Sequence, residues 1–502
     1  MKYLGLFIGN DDPQIQTYEE IMPKIRRRFN YWKPLHLPLL SKSRVIEIFL
    51  ASPLWYATSF YPIPPNIEKE LDKLILEFAI FPKKKNEVSK MEMQKLKSNG
   101  GIKLIQTKLK SLAPKIKWLI DLVTDESLKT HRNVFRKIIG KQKYHIEGEN
   151  VIYSDEEFMK KYLKLQNGFY HEALKGISKL NLKKHTTDIN KETLFHNKNF
   201  TSNDEETGEE KSIKPFKSKN LQYITTYGDL IQAKSQNDPF VKALVEQKLK
   251  TIHKIWVCYA NQIFLGSDNE PIELKNVTQK CIYNELIHKQ SKDHIHQSKW
   301  IVDRGDEVGV IEWNNVWESL HNHFYADTIK TTIWEQIHLN FYTTYNYNKW
   351  HNSMQNCPLC NEIPNEIFHI ILDCKFVIKM WKKIESTLLK ITPRQITPYE
   401  LAFGIQNTIK TDKNAVILRN YLTFTLRHCI MNEERKAYYK PYNTDDEKFM
   451  TMYNNRIAEE IETMSALFQH LGKSNTYEKI ISINEAIVTK TQGHYETKCI
   501  ME

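Results

Sequence analysis

The sequence predicts a mainly α-helical protein with a short β strand at its N-terminus. Three observations predict it. Apolar residues recur at three- and four-residue spacing through most of the chain. Lys and Glu fill the intervening positions, and strand-like pattern is confined to short pieces.

In order, Tyr3, Leu4, Leu6, Phe7 and Ile8 read as a strand closed by Gly9-Asn10, with a turn signal at Asn10 to Pro13. Asp11 and Asp12 read as turn residues. The period then changes to helix: Ile21, Ile25, Phe29 and Trp32 share a face, and Pro23 inside the pattern marks a start or a kink. Leu40 to Trp55 is a second amphipathic segment, ended by Pro62, Pro64 and Pro65. Ile67 to Phe81 is a third, ended by Pro82 and a basic run. Gly100-Gly101 punctuates before the helical pattern from Leu109 to Leu122. The span from Lys129 to Tyr144 is basic and polar. Leu221 to Leu265 looks mixed, Trp300 to Trp350 helical and aromatic-rich, and Leu401 to Met464 reads as long helices. No internal repeat is visible.

A chain of 502 residues has room for two to four domains. The expected division is a thumb-like helical region at 1–130, a connecting region at 131–195, a disordered linker at 196–219, a mixed connecting region at 220–300, a cysteine-bearing helical domain at 301–395 and a helical tail at 396–502. The linker assignment rests on few apolar residues and an acidic knot followed by a basic stretch.

With 41% hydrophobic and 26% charged residues, composition excludes a disordered chain. Lys plus Arg number 72 against 60 Asp plus Glu, a net charge of +12 that favours polyanions. No segment has the length and apolarity of a transmembrane helix, and the N-terminus lacks a full signal-peptide core and cleavage site, so no membrane partner is expected. Four cysteines (Cys258, Cys281, Cys429 and Cys499) are scattered, unlike a disulfide framework. A reducing, intracellular location, nuclear or cytoplasmic, is expected.

The other three of the seven cysteines crowd into Asn356 to Cys374, NCPLCNEIPNEIFHIILDC. The spacing is Cys357-x2-Cys360-x8-His369-x4-Cys374. Two cysteines two apart on a turn, stiffened by Pro358, aim their sulfurs into one volume. His369 and Cys374 then complete a tetrahedron of three sulfurs and one nitrogen, a donor set suited to a structural Zn2+ with no open position. Asn365 is the expected N-cap of a helix carrying His369. Phe376, Val377, Met380, Trp381, Ile384 and Leu388 form the packing face of the helix beyond. The plainer readings are buried free thiols beside a core histidine, or a redox Cys-x-x-Cys. A redox pair has no need of His369 and Cys374.

Four segments, in order, resemble the C-terminal part of LINE-type (non-LTR) retrotransposon reverse transcriptases, from thumb to zinc-binding domain. KYLG at Lys2 to Gly5 looks like the primer-grip strand. LLSKSRVIEIFLASPLWY (Leu39 to Tyr56) resembles the Leu-Ser-x-x-x-Arg thumb helix, with Arg44 at the arginine position, and NGGIKLIQTKLKSLAPKIKWL (Asn99 to Leu119) resembles the Gly-Gly-Leu segment. WNNVWESL (Trp313 to Leu320), IWEQIHLNFYTTYNYNKW (Ile333 to Trp350), the cysteine cluster and Trp381 resemble the zinc-binding region, with Glu366 at an acidic position before His369. The resemblance covers roughly 2–118 and 281–381. It implies a thumb that grips template–primer and a C-terminal domain that contacts RNA. The chain opens at the primer grip, so the aromatic-x-Asp-Asp palm and the endonuclease of the family are absent from it, and no polymerase activity is expected.

The residues expected to meet nucleic acid are Lys24, Arg26, Arg27 and Arg28 beside Phe29, Tyr31 and Trp32, then Lys42, Arg44, Lys83, Lys84, Lys85, Lys115 and Lys117. Three adjacent arginines cannot all lie on one face of a helix. His321 to His323 spells HNH, but inside an amphipathic pattern with no second ligand set. The expected function is sequence-tolerant binding of RNA or an RNA–DNA hybrid, with DNA a further partner, around a structural Zn2+. The alternatives are a relic that docks through the stripe Trp313, Trp317, Phe324 onto an intact retrotransposon reverse transcriptase, or a decayed insertion without function.

Overall fold

A computed structural model describes residues 1–9, 12–81, 88–140, 142, 146, 148–165, 168–183, 189–203, 210–235, 238–254, 263–266, 270–290, 295–341, 343–406, 412–439, 445–491 and 494–498. These residues are mainly helical, with short strands. They form two compact units. One comprises Met1–Trp32, Ile46–Ile75 and Ile105–Ser291. The other comprises Lys33–Val45, Leu76–Leu104 and Lys292–Glu502. The residues expected as one thumb-like region at 1–130 are thus shared between the two units.

The first unit opens with a two-stranded hairpin, Lys2–Tyr3 against Leu6–Phe7, where one continuous strand was expected. Leu4 and Gly5 both have positive φ (47° and 84°), the backbone of a tight hairpin turn, so the chain reverses inside KYLG. Helix Pro13–Trp32 follows. It buries Tyr18, Met22, Ile25 and Phe29 along one stripe and continues through Pro23, which leaves the Glu19 carbonyl without its helical donor. The expected Leu40-to-Trp55 helix is broken. Leu39–Val45 is α-helical, Ile46–Leu50 is a π turn, and a new helix runs Ser52–Thr58 with Pro53 in its first turn. Helix Thr107–Thr124 is the spine of this unit. Helices Gly168–Ile177 and Gln279–His288 pack against it, and a Cβ on Gly176 would meet Leu112 at 2.7 Å.

Two antiparallel three-stranded sheets complete the unit. Ile263–Leu265 lies between Asn181–Lys183 and Pro271–Glu273, and Phe200–Asn203 lies between Glu210–Ser212 and His253–Lys254. The second sheet corrects the disordered-linker expectation for the described part of 196–219. Phe200 and Ile213 are buried in one cluster with Leu194, Leu221, Ile224 and Leu230, and Lys198, also buried, donates to the carbonyls of Ile177 and Leu180. A few large apolar side chains at the right register suffice to fold a polar segment onto a core.

The second unit is built round helix Lys413–Tyr439. Helices Asp327–Ile337, Lys375–Ile391, Asp446–His470 and Ser474–Ile481 pack against it, so it is buried on nearly every face from Ala415 to Met431. Helix Leu39–Val45 packs on Asp327–Ile337, and the turn Lys97–Asn99 packs on helix Trp313–Leu320. Gly100 closes that turn at φ +78°. Its carbonyl accepts from Trp334 Nε1 (2.7 Å) and His338 Nε2 (2.8 Å), while Trp317 lies so close that a Cβ would sit 2.8 Å from its ring. Of the expected aromatic docking stripe, Trp317 and Phe324 are core, and Trp313 is half-buried against Trp317 and Phe403. Among the described residues no helix is long and apolar enough to cross a membrane.

Candidate metal centre

Asn356 to Cys374 folds as two tight turns. In the first, Cys357 N–H donates to the Glu362 carbonyl (2.7 Å) and Asn361 N–H to the Cys357 carbonyl (2.8 Å), with Asn361 left-handed at φ 62°. This brings Cys357 and Cys360 to one side. In the second, His369–Asp373 is a single π turn that begins after Phe368, and Cys374 N–H donates back to the His369 carbonyl at 2.8 Å. The expected Asn365 cap is therefore corrected: Asn365 precedes the turn and is not its N-cap residue. Cys374 is itself the N-cap residue of helix Lys375–Ile391, whose Phe376, Val377, Met380, Trp381, Ile384 and Leu388 are buried as expected.

The result gathers Cys357, Cys360, His369 and Cys374 so that their ligand atoms all lie within 4.8 Å of one another. Cys360 Sγ is 3.4 Å from His369 Nε2. Sulfur at about 2.3 Å and imidazole nitrogen at about 2.0 Å from one tetrahedral ion places donors roughly 3.5–3.8 Å apart, so this group fits a metal ion. Cys357 and Cys374 are buried, and His369 nearly so. Electrostatics agree. Burial pushes the His369 imidazole down, yet the sulfurs of Cys357 and Cys360 more than offset it and hold it up at about 10. The sulfurs of Cys357 and Cys374 draw the Cys360 thiol well down, while Cys357 and Cys360 push the Cys374 thiol up. Such a cluster concentrates negative charge on sulfur around a point that a cation can occupy. The thiols of Cys281 and Cys429 are free and separate from it.

Sequence reasoning missed Arg304. Its guanidinium, nearly buried, pairs with Glu366 (3.0 Å) and Asp373 (2.5 Å), the residues flanking the His369 turn, and with Glu307 on its own helix (2.7 Å). It also lies 5.4 Å over the Phe368 ring, which packs on Trp300. One cation thus fixes both ends of the turn that presents the imidazole. Two acidic residues bracketing His369 were the available signal, but nothing in the sequence singles out their partner.

The basic residues separate into three groups. Lys24, Arg27 and Arg28 are exposed on helix Pro13–Trp32 with Tyr31, at i, i+3, i+4 and i+7, opposite the buried stripe. Lys24 pairs with Glu20 (2.8 Å), Arg28 donates to the Phe49 carbonyl (2.6 Å) and Ser52 Oγ (3.2 Å), and Arg27 has no partner among the described residues. Arg26 points elsewhere and is held by both carboxylate oxygens of Glu70 at 2.5 and 2.9 Å. Lys117 pairs with Asp121, and Arg44 with Asp327 at 3.4 Å. Two residues correct the expectation outright. Lys42 is buried and donates to the carbonyls of Ala79 and Phe81, closing the C-terminal end of helix Pro65–Ile80. Lys115 is fully buried against Glu172 at 2.6 Å. Neither can reach a phosphate backbone. Lys83, Lys84 and Lys85 lie outside the described residues, as does Asp11. Of the HNH letters, His321 follows helix Trp313–Leu320 as its C-cap and His323 is exposed.

No protein-family model matches the sequence, and no curated protein matches it either.

Proposed function

We propose that this chain is a nucleic-acid-binding protein of the LINE-type reverse transcriptase kind, without polymerase activity of its own, whose Cys3His group holds a structural Zn2+. The observation that carries the nucleic-acid reading is the exposed stripe Lys24, Arg27, Arg28 and Tyr31 on one helix, facing away from the core. Cations at that spacing track phosphates, and an exposed tyrosine offers a stacking face to an unpaired base. The ordered resemblance of KYLG, Leu39 to Tyr56, Asn99 to Leu119 and the cysteine region supports RNA or an RNA–DNA hybrid over other polyanions. The metal set, with four ligands and no fifth position, supports a scaffold role for the ion.

The test is binding of the purified full chain to labelled RNA, RNA–DNA hybrid and duplex DNA across a salt series. Arg27→Ala with Arg28→Ala should weaken binding about equally for all sequences and flatten the log–log salt slope by roughly 2. Arg26→Ala should leave affinity nearly unchanged, because Glu70 already holds that charge. Equal binding by the double variant and the wild type would overturn the assignment. Primer extension by the same preparation would overturn the absence of polymerase activity.

A further inference from the structure

We infer that Arg44, Lys97 and His321 form a seat for one phosphate group of a bound nucleic-acid strand. The occupant rests on the function proposed above; the seat itself rests on its geometry. Three segments far apart in sequence meet here. Helix Leu39–Val45 carries Arg44 against helix Asp327–Ile337, and the turn Lys97–Asn99 lies against helix Trp313–Leu320, which ends at His321.

Two orphans mark the place. Both ring nitrogens of His321 are shielded from solvent and, among the described residues, have no hydrogen-bond partner, a state that buried polar atoms rarely keep. The Lys97 ammonium is half-buried and, among the described residues, makes no hydrogen bond or ion pair. Charge is unbalanced in the same sense. Among the described residues, Arg44, Lys97 and Lys330 face one carboxylate, Asp327, which is already shared among Lys330 (3.2 Å), Arg44 (3.4 Å) and Ser41 Oγ (2.8 Å). Lys103 adds to the positive potential at Lys97, and Lys473 adds to it at exposed His323 on the rim. Burial first, and then the charges of Lys97, Lys330 and Arg44, push the His321 imidazole down to about 3, while Asp327 opposes them weakly.

A cluster that repels itself and leaves donors unused is relieved by an anion. The donor types point to a tetrahedral oxyanion. Arg44 uses one Nη atom on Asp327 and keeps the rest of its fork, half-exposed, for a second acceptor. Lys97 supplies a point charge, and the neutral imidazole supplies one N–H. Helix Asp327–Ile337 also begins at this place without a side-chain cap, since its N-cap is Ala326.

The full, metal-loaded chain is titrated with inorganic phosphate by calorimetry and with a short labelled oligoribonucleotide by anisotropy. Lys97→Ala is the main variant, since it breaks no bond in the fold. Arg44→Lys tests the fork, and Lys382→Ala, exposed on helix Lys375–Ile391, is the control. The expected result is that Lys97→Ala loses about tenfold in affinity for both ligands and about one unit of salt slope for RNA, with the control unchanged. RNA binding that Lys97→Ala and Arg44→Lys leave intact would overturn the seat while the nucleic-acid reading stands. Lys97-dependent binding of inorganic phosphate without binding of RNA would overturn the nucleic-acid occupant and leave a site for a free phosphate.

Discussion

The guanidinium of Arg419 and the carboxylate of Glu400 are both wholly buried and meet in a two-pronged pair, Nε to Oε1 at 2.6 Å and Nη2 to Oε2 at 3.0 Å. The remaining Arg419 donors reach the carbonyls of Leu388, Thr392 and Arg394, the last turn of helix Lys375–Ile391 and the loop beyond it. Removing one partner leaves an uncompensated buried charge. Glu400→Ala should therefore cost about 3–5 kcal/mol in urea denaturation, whereas the same change at exposed Glu318 should cost under about 0.5 kcal/mol.

The metal centre predicts a stoichiometry and a spectrum. The purified chain should carry one tightly held zinc. Replacement by Co2+ should give the intense ligand-field and sulfur charge-transfer bands of a tetrahedral site with three thiolates and one imidazole, and Cys360→Ser should weaken both. Arg304→Ala leaves every ligand in place but frees both ends of the His369 turn. It should lower metal affinity roughly 10–100-fold in a competition with a chelator while the cobalt spectrum keeps its shape. Unaltered affinity would show that the turn holds itself.

Gly101 should not tolerate a side chain. A Cβ there would lie 2.0 Å from the Lys95 carbonyl oxygen, and Gly100 beside it is pressed against Trp317. Gly101→Ala should cost roughly 3 kcal/mol or more, visible as a lowered midpoint in thermal unfolding and a changed tryptophan near-UV signal. Gly305, inside helix Ile295–Val308 with only Ile301 Cγ2 at 4.0 Å from its Cβ, has room and helical backbone, and Gly305→Ala should be neutral or mildly stabilising.

His428 should make stability fall in acid. Its Nε2 accepts from Asn432 (3.0 Å) and its Nδ1–H donates to Thr332 Oγ1 (2.7 Å), an arrangement open only to the neutral ring. Burial, then Arg456 and Arg435, push its pKa down to about 4, below the ~6.5 of a free imidazole. The stability it contributes is thus complete above pH ~6.5 and is lost as pH falls toward 4, roughly 3 kcal/mol across that window. Buried Glu434, pushed up to about 7, works the opposite way. The comparison is therefore between wild type and His428→Gln, whose stability should decline less over the same interval.

How legible this was in the sequence varied with how local the determinant is. The cysteine group could be read from spacing, because a Cys-x-x-Cys turn fixes two sulfurs by backbone geometry alone. The apolar face of helix Lys375–Ile391 and the long helices near the C-terminus followed from period. Lys42 and Lys115 were misjudged because charge suggests solvent, while the chain supplies each with a buried acceptor: two helix-end carbonyls for one, Glu172 for the other. The sheet at 200–212 was hidden because Phe200 and Ile213 are two apolar residues in a polar run, and their partners lie elsewhere in the chain. Arg419 with Glu400, and Arg304 with Glu366 and Asp373, are pairings of ordinary residues that only the fold selects.

The path of the chain between the two compact units bears on how the protein is made. Segments 33–45 and 76–104 leave the ribosome early, yet their packing surfaces, Asp327–Ile337 and Trp313–Leu320, emerge only after the whole intervening first unit has been synthesised. At ~5–20 residues per second they wait on the order of tens of seconds with Leu39, Leu40, Met93 and Ile102 uncovered, a period in which a chaperone competes with misfolding. A shortened chain that starts at Lys292 would carry the same surfaces with nothing to cover them, so expression of that fragment alone should give insoluble protein unless the two early segments are supplied with it.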